Sequence, residues 1–431
     1  MTTTVSAAAA IGVRPRNCLA LVVSVLWTTA CASESAAPPV EANVVRDSAG
    51  IRVVESSAAA LSPPWRLSAE PVITIDGGGP PDETPLDPMS VFQTRSGLLV
   101  VGDGNQSGWH ALLVYDLDGA FLRKMGGSGE GPGEFGQLWF AAPYRGDSLV
   151  AMDMRGATLK VFDELGEYAR QFTGPRWSEV PPKGTYGFVP GFGEVAYSDG
   201  SFLGFPYGTL DISDGPGPAW YRHAVLRLDP SGAVWDTLGV HAISERYWDG
   251  QRQSEYQFGA NAFAVPNGRR TVLGDAKTFE YRLVDEDWNV EMIVRRSHTP
   301  VPVTQDDRDE LLEWWIALLE TSPEYDEESL ARYRADFFDQ PFAPTKPAYD
   351  NLLVDDEGHV WVQEYRWVYD KVLPPHPRPG RWSVFAPDGT WLTSLETPPD
   401  VVVRSVSHDR VFGFRVDAFD VKHIVVYDLI K

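Results

Sequence analysis

The chain has 431 residues and a net charge of −23, enough length for a large core and a strong acidic excess. No run of Lys and Arg occurs in it, which excludes nucleic acid as a partner, because such binding rests on clustered cations that displace counterions. Acidity of this kind keeps a protein soluble, and a monomer is expected.

In chain order, Arg14 and Arg16 precede the apolar run Cys18–Trp27. The run is too short for a hydrocarbon core of about 30 Å and reads as the centre of a signal peptide. It closes on Thr28-Thr29-Ala30-Cys31. This resembles a bacterial lipobox, with Thr28 where that motif prefers Leu, and the resemblance implies cleavage before Cys31 and lipidation of its thiol. Ordinary secretory cleavage near Ala30 or Ala32 stays open. Cys18, the other cysteine, lies in the removed segment, so no intramolecular disulfide is expected. Residues 1–30 are thus read as a signal peptide of the lipoprotein type. Residues 31–50 are read as a flexible tether, small, polar and proline-bearing. The expected location is the bacterial cell envelope, at the outer membrane or its periplasmic face, with the membrane as a partner through the anchor.

From Ile51 onward short β-rich runs alternate with turn signals. One turn recurs: alternating apolar residues, Asp, two residues, Gly, then another strand. It occurs at Tyr115–Gly119, Phe162–Gly166 and Leu228–Gly232. A degenerate copy at Val284–Trp288 has Asn289 as the expected turn-former, and Phe385–Gly389 is a fifth. Val426-Tyr427-Asp428 is a sixth, cut short by the chain end. The last repeat lacks its outer strand, and Pro71–Ile75 is an unpaired apolar run able to supply it, leaving no open edge. The expected fold is all-β: a six-bladed β-propeller of four-stranded antiparallel blades over 51–431, closed by an N-terminal strand.

The repeats and the link Gly129-Glu130-Gly131-Pro132-Gly133-Glu134-Phe135 resemble the NHL-type six-bladed propellers of exported bacterial proteins. Lys346–Tyr365 is similar to their fifth blade. The resemblance implies a fold more than an activity, since such propellers include lactone or ester hydrolases, an amidating lyase and many binding modules.

Strand order places the long insertions, Gly208–Tyr221, Gly239–Gln257, Thr304–Gln340 and Arg366–Arg381, on one face, opposite the Asp-x-x-Gly turns. That elaborated face is the expected working side. Thr304 with Asp307 predicts a helix start, with Leu311, Trp315 and Leu318 on one helical face and a second helix at about Glu327–Phe338. The helical insertion, about 304–340, reads equally as a lid or as padding over strand ends. Aromatics on that face, Trp109, Trp248, Trp367, Tyr247 and Tyr369, are the candidate ligand-binding residues, suited to a protein, peptide or saccharide.

Catalytic signals are sparse. Gly131–Gly136 matches a dinucleotide pattern by letter, yet a strand follows where a helix must open. No Ser stands in a G-x-S-x-G elbow. The eight His residues lie too far apart for a local zinc motif, and the expected innermost strands hold none. Asp103–Gly108 has the oxygen spacing of half a calcium loop, with Val114 where the bidentate Glu belongs. Asp87, Asn261, Asp350 and Asn351 lie near strand starts, where oxygen ligands would resemble a calcium lactonase. Two functions stay open: an envelope-anchored binding module, or a calcium-assisted hydrolase of the lactonase or esterase type at the channel mouth. The catalytic residues of the second are not identifiable from the sequence.

Overall fold

The structure is a computed structural model. It describes residues 43–431 apart from 57–59, 78–79, 81–82, 105–107, 109, 157, 174–195, 205–207, 321, 323, 367–377, 418 and 420.

The alternating runs form six sheets among the described residues, whose main strands follow one another in sequence order and pair antiparallel, with N-terminal strands added at the edges of two of them. Sheet one is Pro88–Gln93, Leu99–Gly104, His110–Tyr115 and Phe121–Met125. Sheet two is Leu138–Pro143, Leu149–Asp153, Thr158–Phe162 and Tyr168–Thr173. Sheet three has Phe202–Gly204, the long pair Gly217–Leu228 and Val234–Trp248, and the short Thr209–Leu210 and Gln253–Glu255. Sheet four is Phe263–Asn267, Arg270–Gly274, Glu280–Val284 and Val290–Arg296. Sheet five is Tyr349–Val354, Val360–Glu364, Gly380–Phe385 and Trp391–Thr397. Sheet six is Val401–Ser407, Arg410–Val416 and Lys422–Ile430, completed by Ile73–Ile75.

The Asp-x-x-Gly turns work through the Asp side chain. Asp116 Oδ1 accepts the amides of Asp118 and Ala120, and Asp163 Oδ1 those of Leu165 and Glu167. The glycines Gly119 and Gly166 take φ of 83° and 82°, a left-handed conformation that costs other residues. In the fourth copy the left-handed residue is Trp288, at φ 65°, and not Asn289. Its indole packs where a Cβ on Gly239 would lie, 2.7 Å from the ring, so packing holds a conformation that the residue type disfavours.

Six buried apolar clusters each join two successive sheets. They link one to two, two to three, three to four, four to five and five to six. The sixth joins the last sheet to the first: Phe412, Phe414, Ile424 and Val426 pack with Val91, Leu99 and Leu113, and Ile73 and Ile75 complete it.

The expected closing strand pairs as predicted, Ile75 with Ile424 and Ile73 with Val426. More of the N-terminal segment is ordered than the tether reading allowed. Asn43–Ser48, within the span read as tether, is a strand paired with Ile51–Ser56 across Ala49 and Gly50, both at positive φ. Ile51–Ser56 lies parallel to Val290–Arg296 on the outer edge of sheet four. The amides of Leu61, Ser62 and Trp65 bond the carbonyls of Trp391, Leu392 and Ser394 on sheet five. Arg66–Leu67 pairs with the end of sheet six. A single belt therefore covers three sheet edges, satisfying backbone groups that would otherwise invite aggregation.

The helical island is α1, Gln305–Glu320, and α2, Glu327–Asp336. Thr304 and Asp307 cap α1 reciprocally: the Thr304 amide and hydroxyl donate to Asp307 Oδ2, and the Asp307 amide to Thr304 Oγ1. The buried face of α1 carries Leu311, Trp314 and Ile316, whereas Leu318 is exposed. Leu311 and Trp314 form a small core with Phe337, a partner supplied by the insertion itself, which turns the helix from the expected face. Among the described residues no helix is long and apolar enough to cross a membrane.

Candidate functional site

The first strands of the sheets wall a cavity of about 860 Å³. Its lining runs from Met89 to Arg95 on sheet one and from Trp139 to Ser148 on sheet two. Sheet three contributes Ala196–Ser198, sheet four Val265, Asn267 and Gly268, sheet five Asn351 and Leu353–Gly358, and sheet six Val403–His408. The turns that follow the first strands form its mouth, on the side of the Asp-x-x-Gly turns: a Cβ on Gly97 would lie 3.5 Å from Leu117, and one on Gly358 3.8 Å from Pro387. Among the described residues, none of the long insertions reaches it.

Those mouth turns are tied to one another in succession. The Ser96 amide donates to Asp147 Oδ1 at 2.7 Å, from sheet one to two. The Tyr144 hydroxyl donates to the Gly200 carbonyl at 2.9 Å, two to three. The Ser198 amide bonds the Gly268 carbonyl at 2.8 Å, three to four. Asn267 Nδ2 donates to the Gly358 carbonyl at 3.3 Å, four to five. The His408 amide donates to Asp356 at 3.2 Å, six to five. Deeper in the wall, Ser405 Oγ donates to the Val91 carbonyl at 2.7 Å, six to one. The Tyr197 hydroxyl meets Thr271 Oγ1 at 2.7 Å, and burial pushes its pKa up to about 12, so it stays a neutral hydrogen-bonding group. A wall bonded in this way positions its side chains rigidly.

Among the described residues, four first strands carry an extra residue against their neighbours. Pairing skips Met89 on sheet one, Trp139 on sheet two, Asp350 on sheet five and Arg404 on sheet six. Such bulges kink a strand and re-aim a side chain. Met89, Trp139 and Arg404 line the cavity. The Arg404 guanidinium lies over the Phe414 ring, 4.9 Å from its centre. Neither Trp139 nor Arg404 was picked out by sequence reasoning, which searched these strands for histidine. The available signal was a lone charge in Val401–Ser407, otherwise apolar or hydroxylic.

The residues chosen from the sequence fall elsewhere or outside the description. Cys31, Trp109, Trp367 and Tyr369 lie outside the described residues. Tyr247 and Trp248 are half-buried at the far end of the long pair of sheet three, where they pair with Ser254 and Gln253. The Tyr247 ring lies 5.9 Å from that of Tyr256.

The proposed oxygen ligands for calcium are dispersed in their contacts. Asp103 is fully buried and accepts the amides of Leu86 and Asp87, at 3.0 and 2.7 Å. Asp153 repeats this on sheet two with Gly136 and Gln137, at 3.0 and 2.9 Å. This is a buried carboxylate anchoring the start of a first strand. Asp87 pairs with Lys422, Asp350 accepts the Arg366 amide at 2.8 Å, and Asn351 Oδ1 accepts the Leu352 amide at 2.8 Å. Among the described residues no three His, Cys, Asp or Glu side chains come together as a metal site. Residues 105–107 of the half calcium loop lie outside the described residues. His241 Nε2 meets the Phe263 carbonyl at 3.1 Å, and burial pushes its pKa down to about 4. It ties sheet three to sheet four as a neutral ring.

No family model matches the chain, and no curated protein does. Among solved structures it is similar to a member of the DUF4221 family from Bacteroides vulgatus, with TM-score 0.48 and 10% identity over 85% of this chain and 98% of that one. A candidate exported protein of Bacteroides fragilis gives 0.46 and 12% over 88% and 100%. Streptogramin B lyase gives 0.35 and 9% over 85% and 88%.

Proposed function

We propose that the chain is an exported, lipid-anchored six-bladed β-propeller that acts as a binding module at the bacterial cell envelope. Six sequential sheets, with an apolar cluster between each and the next and one between last and first, support the closed ring. The observation that carries the binding role is the cavity of about 860 Å³ walled by the first strands, within the range of pockets that enclose small ligands. Its lining mixes aromatic faces, amides and hydroxyls, which suits part of a saccharide or peptide. The cavity is favoured over the elaborated face as the ligand's seat because its wall is held by successive hydrogen bonds and Tyr247 and Trp248 do not line it. The hydrolase alternative finds no cluster of three His, Cys, Asp or Glu side chains among the described residues.

The test is a thermal-shift array of oligosaccharides, short peptides and small metabolites against the mature protein. A binding module yields saturable shifts without turnover of the ligand. No shift across the array, or release of product from a lactone or ester in its presence, overturns the reading.

A further inference from the structure

We infer that a cleft between sheets four and five is a second binding site, separate from the cavity, and takes a neutral sugar. The cleft encloses about 410 Å³, within the range of small-ligand pockets. Its lining includes Arg296 on sheet four and Glu364, Arg381, Trp391, Ser394 and Glu396 on sheet five. Arg296 and Glu364 are the last residues of their strands. The insertions 304–340 and 366–381 come after those ends, which sets the cleft toward the face of the long insertions.

Arg296 is held in place from every side. Its side chain is 10% exposed, and its guanidinium lies 3.8 Å from the centre of the Phe279 ring and 5.1 Å from that of Trp391. One terminal nitrogen donates to Ser383 Oγ, and the other to Glu364 Oε1 at 2.7 Å. The stack and these two bonds fix the plane of the group. Its Nε–H is buried and meets no acceptor among the described residues. Such a donor is costly to bury unpaired and points to an oxygen supplied from outside the chain. The charges of the described lining are closed in pairs, Arg296 with Glu364 at 2.7 Å and Arg381 with Glu396 at 3.1 Å. A charged ligand would enter beside a pair with no counter-ion of its own, which favours a neutral one. The hydroxyls of a sugar answer both groups: an oxygen accepts from Arg296 Nε, and an O–H donates to the Glu364 carboxylate. Trp391 already gives its indole N–H to the Thr393 carbonyl at 3.0 Å. It therefore offers only its ring, an apolar surface for the C–H face of a sugar. Residues 57–59, which follow Ser56 in the lining, lie outside the described residues, and so do 367–377.

The experiment is calorimetric titration of the mature protein with glucose and N-acetylglucosamine, each beside a charged counterpart, glucuronate or glucosamine. At least one neutral sugar is expected to bind about tenfold or more tightly than its counterpart. Arg296→Lys keeps a cation opposite Glu364 but lacks the Nε–H, and should weaken that sugar by about tenfold. Ser394→Tyr, at a half-buried position of the outer strand, fills the cleft and abolishes the binding; it decides the matter if Arg296→Lys does not fold. Equal affinities for neutral and charged probes overturn the inference, as does a neutral sugar whose affinity is unchanged in either folded variant. If no sugar titrates, the Nε–H serves water alone and the inference fails. The cavity is tested apart from the cleft. A sugar lost in Ser394→Tyr while a cavity ligand's thermal shift persists upholds both sites. A sugar that survives Ser394→Tyr sits elsewhere, so the cleft fails and the binding reading stands; if nothing in the array or the titrations binds, both fail.

Discussion

Removing the apolar contacts of the closing strand tests the ring at its joint. Ile73 and Ile75 are 4% and 5% exposed in the cluster joining the last sheet to the first. Val72 between the belt and this strand is 46% exposed, although its amide bonds the Val426 carbonyl at 2.7 Å. A buried Ile→Ala change costs about 2–5 kcal/mol through lost transfer energy and the cavity left behind. The two sites share one cluster and are not independent, so the double change Ile73→Ala with Ile75→Ala is expected to cost about 4–7 kcal/mol. Val72→Ala keeps the backbone pairing and should stay within about 0.5 kcal/mol. Equilibrium denaturation in urea, with the midpoint and slope both fitted, reads the difference. A double variant that loses less than about 1.5 kcal/mol, or one no worse than Val72→Ala, would refute the closure.

Three further outcomes follow from the contacts described. Lys160 and Asp153 form a buried pair at 2.9 Å, and Lys160→Met should cost about 3–5 kcal/mol by leaving the carboxylate uncompensated. Burial raises the Asp153 pKa, but hydrogen bonds from Lys160, Gly136 and Gln137 outweigh it and hold the group below its usual range. Its contribution is therefore present above the unfolded value of about 3.9 and lost as pH falls through the lower folded one, a slope that acid titration of stability should find flattened in Lys160→Met. Gly166→Ala places a Cβ 2.8 Å from Met125 Sδ at φ 82°, costing at least about 1–2 kcal/mol in a melt while leaving ligand affinity per folded molecule unchanged. Mass spectrometry of the mature N-terminus should find Cys31 first and lipidated; a free thiol or cleavage elsewhere defeats the anchor.

What could be read from the sequence was what local chemistry writes. The Asp-x-x-Gly turns repeat because one carboxylate satisfies two amides within five residues, so their copies mark the sheets. The missing strand of sheet six was legible because an apolar run with no neighbour stood at the other end of the chain. The rest of the belt was not, since Arg52 pairs with Met292 and nothing local announces a partner so remote. The Ala49-Gly50 turn hid inside a small, polar stretch that reads as tether. Trp288 escaped because its left-handed backbone is imposed by packing over Gly239. The candidate site was half visible: its strands could be named, but a bulge is one unpaired residue, and register is a property of two strands rather than one.

The most direct measurement is hydrogen exchange on the mature protein with and without the tightest-binding member of the array. The account predicts slowed exchange in Pro88–Gln93, Leu138–Pro143, Tyr349–Val354 and Val401–Ser407 and in the turns that follow them. Protection confined to Val234–Trp248, α1 and α2, with those first strands unchanged, would contradict it.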